Sequence, residues 1–121
     1  MTQENSKQLL LKDLCARLPY GVIVNVDGIS NVRLDSVSWY EEVSVNDRST
    51  NLYCILEIKP YLFPLSSMTE EEKLMYEGLM IGIDNISYML DVIDWLNSHH
   101  FDYRGLIEKG LAIDVTGLNI Y

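Results

Sequence analysis

At Pro19 the hydrophobic periodicity of this chain changes from that of a helix to that of a strand, and the two-residue alternation persists to Ile58. One element cannot satisfy both periods. A helix must therefore precede a run of strands, and each must cover the other's apolar face. Before the switch, Lys7, Leu11, Leu14 and Leu18 recur at helical spacing, Leu10 and Cys15 widen the stripe, and Lys12, Asp13 and Arg17 fall opposite. The spacing predicts a helix over residues 6–18. Pro19 stops it, because the residue before a proline avoids the helical region and proline has no N–H to donate.

Beyond it, Val22, Val24 and Val26 share one face, and Asp27-Gly28 supplies a hairpin turn. Val32, Leu34 and Ser36 continue the alternation, but Val37 and Trp39 carry it on the other parity, which predicts a bulge or break near Ser36. Val43 and Val45 form the weakest strand, expected at an edge. Asn46-Asp47-Arg48-Ser49 reads as a turn before the strongest strand, residues 52–58. The connections are too short for parallel crossovers, so the expectation is about four antiparallel strands. The two prolines in the stretch 59–65 mark it as an extended connector rather than a central strand.

The second half reads as helical. Thr69 can cap the free amides of a helix whose third residue, Glu72, bonds back, and three acids in the first turn meet its positive end. Capping accounts for every residue of that acidic cluster, without a metal. Gly78 and Gly82 weaken the continuation. A third helix places Met89, Val92, Ile93 and Leu96 on one face, with Asp91, Asp94 and Asn97 opposite. Asp102 is placed to cap a short fourth helix over residues 103–109, closed by Gly110 with Leu111 folded onto Leu106. The stretch 111–115 is a last strand returning to the sheet. The fold class is thus α+β in one domain over residues 1–121: an N-terminal helix, an antiparallel sheet of about four strands, two to three helices and a short C-terminal strand.

Charge limits the function. With 18 acids against nine bases, the formal net charge of −9 disfavours direct contact with nucleic acid or anionic lipid and favours a basic partner, including a nucleic-acid-binding protein. No run approaches a membrane span, and the first residues lack a secretory signal's apolar core, so the expected compartment is the cytoplasm. Cys15 and Cys54 sit at apolar positions and are expected as buried free thiols. Neither a phosphate-binding glycine loop nor a GxSxG or HExxH motif occurs, and no cofactor is implied.

Candidate site residues concentrate in the last quarter. His99 and His100 are adjacent at a helix end and point apart, which excludes joint binding of one metal. Trp39, Tyr61, Tyr103 and Arg104 are aromatic or cationic groups suited to an interface, with His100 and Asp102 beside them. An ion pair with Asp102 is the simpler role for Arg104, and the rim of a small core is the simpler role for the aromatics.

Three segments together, residues 14–22, 66–73 and 101–112, resemble a group of small uncharacterised proteins encoded by Bacteroidetes genomes, phages and prophages. The resemblance implies a bacterial cytoplasm and a mobile-element origin. It brings no activity and no catalytic residues. The leading expectation is a non-enzymatic protein-interaction or accessory module. One alternative is a small enzyme using His100 and Asp102, with Tyr103 or Arg104 stabilising charge. Another is a homodimer joined through an apolar edge strand or the methionine-rich helix over residues 74–80.

Overall fold

The computed structural model describes residues 2–27, 29–38, 42–46, 52–81 and 85–121. Helix α1, Gln3–Arg17, starts at Thr2, whose hydroxyl accepts the Asn5 amide at 3.1 Å. A single 3₁₀ turn containing Pro19, Leu18–Tyr20, follows, and Gly21 at φ 68° redirects the chain into the sheet. The buried stripe of α1 is Leu10, Asp13, Leu14 and Arg17. That is the spacing i, i+3, i+4, i+7, so Asp13 and Arg17 lie inward and not on the solvent face expected for them.

Strands β1, Ile23–Val26, and β2, Ile29–Val37, pair as the expected hairpin, with Val26 opposite Ile29; Gly28 of the expected turn lies outside the described residues. Strand β3, Glu42–Val45, pairs with β2, and the register shifts between Leu34 and Ser36, where the apolar parity slips. Strand β4, Tyr53–Cys54, pairs with β3. Val43 and Val45 are therefore not at an edge: β3 lies between β2 and β4, and both valines are buried. The expected long strand over 52–58 is broken by a 3₁₀ turn at Ile55–Glu57. This turn drives Ile55 into the core beneath α1.

Strand β5, Ile58–Pro64, is the larger correction. The prolines predict a connector, yet this segment joins the two halves of the sheet. Its first half pairs antiparallel with β1, and its second half pairs in parallel with β6, Phe101–Asp102, and β7, Ile113–Asp114. Backbone polar groups alternate sides along a strand. Glu57 O accepts from Asp27 N, and Leu62 O accepts from Val115 N. The missing N–H of Pro60 therefore points away from β1, one residue before β7 begins to pair, and Pro64 is the last residue of the strand. Neither removes a ladder bond. Among the described residues the sheet has seven strands in the path β4-β3-β2-β1-β5-β6, with β7 also on β5. It is mixed, because the helices between β5 and β6 supply the parallel crossover that the first half is too short to make.

Helix α2, Glu70–Met80, carries the expected capping box: Thr69 Oγ1 accepts from Glu72 N at 3.1 Å, and Glu72 Oε1 accepts from Thr69 N at 2.8 Å. Gly82 lies outside the described residues. Helix α3, Ile86–Ser98, packs on α2. Two apolar clusters result. Leu10 and Leu14 of α1 lie on the valines of β1 and β3, together with Ile58, Leu62 and Leu106. Val92 and Leu96 of α3 pack with Met68 and Phe101, flanked by Tyr76, Leu79 and Trp95. Cys15 and Cys54 are both exposed, contrary to the burial expected from their neighbours. Cys15 falls outside the 10-13-14-17 stripe.

Candidate functional site

The corner formed by residues 100–104 is set by the end of α3. His99 N and His100 N bond to Trp95 O and Asn97 O, and His100 then takes φ 62°, turning the chain into β6. This region is uncommon for a side chain larger than glycine and holds only where contacts fix it. Here the His100 carbonyl accepts from Phe63 N at 2.8 Å, and its ring stacks on Tyr121 with centroids 3.7 Å apart and 9° between planes. Burial, the Arg17 guanidinium and His99 lower the His100 pKa to about 4, so the ring is neutral at pH 7. The His99 ring lies against Trp95 instead, 4.5 Å between centroids. The two histidines diverge.

Asp102 is committed to the backbone. Its carboxylate oxygens accept from Leu106 N at 2.9 Å and Ile107 N at 3.0 Å, the capping role read from the sequence. The capped segment is a series of turns and not the expected fourth helix. It closes as expected, with Gly110 at φ 74°, Gly110 N bonded to Ile107 O and Leu111 N bonded to Leu106 O.

Arg104 does not pair with Asp102. Its Nε lies 3.4 Å from Asp13 Oδ1, an ion-pair distance without hydrogen-bond alignment, and its guanidinium sits 5.0 Å from the Tyr103 ring centroid. Arg17 lies 5.2 Å from the same centroid. Two cations thus share one aromatic ring. Tyr103 donates to Asn97 Oδ1 at 2.8 Å, so Asn97 is buried on the inner side of α3 and not on the outer face expected for it. Beneath the corner, Arg17 Nε donates to Asp13 Oδ2 at 2.8 Å and Arg17 Nη2 to Phe101 O at 2.6 Å, with both residues 0 % exposed. Burial raises the Asp13 pKa, opposed by the adjoining Arg17 charge.

The structure therefore brings Tyr103 and Arg104 together over a buried Asp13–Arg17 pair, and it separates His100 from Asp102. Tyr61 is buried in β5, its hydroxyl accepting from Asn25 Nδ2 at 3.2 Å, away from the corner surface. Trp39 lies outside the described residues. Asp13, Arg17, Asn97 and Tyr121 are the members that the sequence reading missed. For the first two the signal was present in their spacing from Leu10 and Leu14. Tyr121 Oη accepts from Ile23 N at 2.9 Å and donates to Tyr61 O at 2.8 Å, bridging β1 and β5 where their ladder ends.

An open groove of about 560 Å³ runs along the outside of the corner, lined by Pro64, Leu65, Asp102, Tyr103, Glu108 and Asp114 among others. Hydrogen bonds from the side chain and amide of Thr116 hold the Asp114 pKa below the usual carboxylate value. His100 is not among the residues that line this groove. Among the described residues, no group of three or more His, Cys, Asp or Glu side chains is arranged to hold a metal. Among those same residues, no helix is long and apolar enough to cross a membrane.

Among the described residues, exposed large apolar side chains occur at Leu74 and Met75 of α2, and in number from the C-terminal end of α2 into the first two turns of α3. Ile81 is 87 % exposed, Ile86 73 % and Leu90 58 %, with Tyr88 and Met89 also exposed. Met89 was expected on the buried face with Val92. It is one turn before Val92 on the same side of α3, yet it is 45 % exposed where Val92 is buried. No known protein family, curated protein or solved structure matches the chain.

Proposed function

We propose that this chain is a non-enzymatic interaction module that docks another protein through the apolar surface at the α2–α3 turn. One observation carries the reading: five large apolar side chains, Ile81, Ile86, Tyr88, Met89 and Leu90, stand exposed at one end of a helical hairpin. Large apolar side chains left in water mark interaction sites in soluble domains when they gather on one face, as Ile86, Met89 and Leu90 do at helical spacing on α3. Removing it from water contributes on the order of 5–8 kcal/mol. Association costs a similar amount, about 4–15 kcal/mol. Apolar contact alone therefore gives weak binding, and a specific partner must add polar or charged contacts.

The reading as a small enzyme draws no support from the corner. His100 is held neutral against Tyr121, and Asp102 bonds two amides, so neither is free to act on the other. The accessory, phage-like setting rests on the resemblance of the three segments.

The test is affinity capture from native lysate with the wild-type chain, an Ile86→Ser/Leu90→Ser variant and an Arg104→Ala variant. A partner held by the wild type and by Arg104→Ala but lost from the double variant supports docking at the helical turn. Equal capture by all three proteins overturns it.

A further inference from the structure

We infer that the occupant of the α2–α3 surface is a cationic amphipathic helix of a partner protein. This rests on the docking reading above and adds the chemistry of what docks. Apolar residues recur along α3 at 86, 89, 90 and 93, the i, i+3, i+4, i+7 spacing of a helix face that packs on another helix. Val92 and Leu96 are buried in the body, whereas Ile86, Met89 and Leu90 in the first two turns of α3 stand exposed. A helix laid beside α3 at Ile81 would continue the two-helix layer and cover this stripe, as in helix-in-groove recognition.

Charge selects among possible occupants. Helices α2 and α3 carry Glu70, Glu71, Glu72, Glu77, Asp91 and Asp94 against a single base, Lys73. Glu77 stands exposed one turn before Ile81, and exposed Asp91 adjoins Leu90, so carboxylates rim the apolar residues. A second copy would bring the same carboxylates to the interface, on chains that each carry a formal net charge of −9. An anionic membrane is repelled in the same way. A helix with an apolar stripe and lysine or arginine flanks is complementary in both respects.

The probe is a synthetic amphipathic peptide of about 18 residues, long enough to form several helical turns. It has leucines on one face and lysines on the flanks, and its control replaces each lysine with glutamate. Binding to the full chain is followed by calorimetry and by amide chemical shifts. The inference requires that the lysine peptide bind saturably and shift residues 81 and 86–94. It also requires that added salt weaken binding and that the glutamate peptide bind at least about tenfold more weakly. Ile86→Ser/Leu90→Ser, at exposed positions and checked for an unchanged melting profile, should abolish binding. Glu77→Gln/Asp91→Asn should weaken it severalfold.

Equal binding of both peptides would overturn the cationic partner while leaving apolar docking in place. No binding by either, with no partner captured from lysate, would overturn both. A concentration-dependent dimer abolished by the serine variant would assign the surface to a second copy, and binding to phosphatidylserine vesicles would assign it to a membrane. Either result overturns the inference.

Discussion

Replacing Arg17 with methionine should be among the most damaging single changes in this chain. Arg17 is fully buried, donates to Asp13 at 2.8 Å and to the Phe101 carbonyl at 2.6 Å, and lies against the Tyr103 ring. Methionine fills a similar volume but leaves the Asp13 carboxylate buried beside only the partly exposed Arg104, 3.4 Å away. Breaking a buried pair in this way costs about 3–5 kcal/mol, because the remaining charge stays desolvated. At 121 residues that is a fall in Tm of roughly 12–20 °C. The assay is chemical denaturation at pH 7 with Arg17→Met, Asp13→Leu and the double variant. If the damage comes from an uncompensated charge, the double variant should recover much of the loss. A loss below about 1 kcal/mol for Arg17→Met would show that the pair does not tie α1 to β6. A double variant no more stable than Arg17→Met would show that the lost packing, not the stranded carboxylate, sets the cost.

Other perturbations follow from the same corner. His100 has a folded pKa of about 4 against an ordinary value of 6.5, so the unfolded chain binds the proton first as pH falls. Its contribution to stability is full above pH 6.5 and is lost as pH drops towards 4. Partial exposure limits it to about 1–2 kcal/mol. Denaturation across that range should show a shallower decline in His100→Gln than in the wild type, and parallel curves would refute the assignment. Tyr121→Phe removes the hydroxyl bridging Ile23 N and Tyr61 O and should cost about 1–2 kcal/mol by the same assay; an unchanged midpoint would show that water replaces it. Both cysteines are exposed, so a thiol reagent should titrate two groups per native chain without denaturant. Partial burial raises the Cys15 pKa, so this thiol should react more slowly than a free one. No reaction before unfolding would contradict their placement.

Local signals were readable because they involve residues a few positions apart. Thr69 with Glu72, the hairpin pairing of Val26 with Ile29, the parity slip at Ser36 and the Gly110 closure each need only neighbouring backbone, and each stands in the structure. What failed depended on partners far along the chain. Pro60 and Pro64 sit in β5 because each missing N–H falls where no strand needs it, which follows only from knowing which strands flank it. Val43 lies inside the sheet because Tyr53 pairs with it from the far side, and Val45, paired with Leu34, is buried beside it. Asp13 and Arg17 were read as surface from their charge, although the helical spacing already placed them inward with Leu10 and Leu14. Their pairing with each other removes the penalty that ordinarily keeps charged side chains at the surface. At the site, the corner was legible as a dense cluster and even as a cap. Its use in holding the fold was not, because Arg17 and Tyr121 reach it from the opposite ends of the chain. The exposure of Met89 and Leu90 depends on where the body of the protein ends, which helical spacing alone does not specify.

The docking surface itself is tested most directly by a photo-crosslinking residue placed at Leu90, with a control at Leu118, another exposed apolar position, in cells producing the chain. The account predicts one discrete heterologous adduct from position 90, absent from position 118 and lost when Ile86 is also changed to serine. Adducts from position 118 with none from position 90 would contradict it.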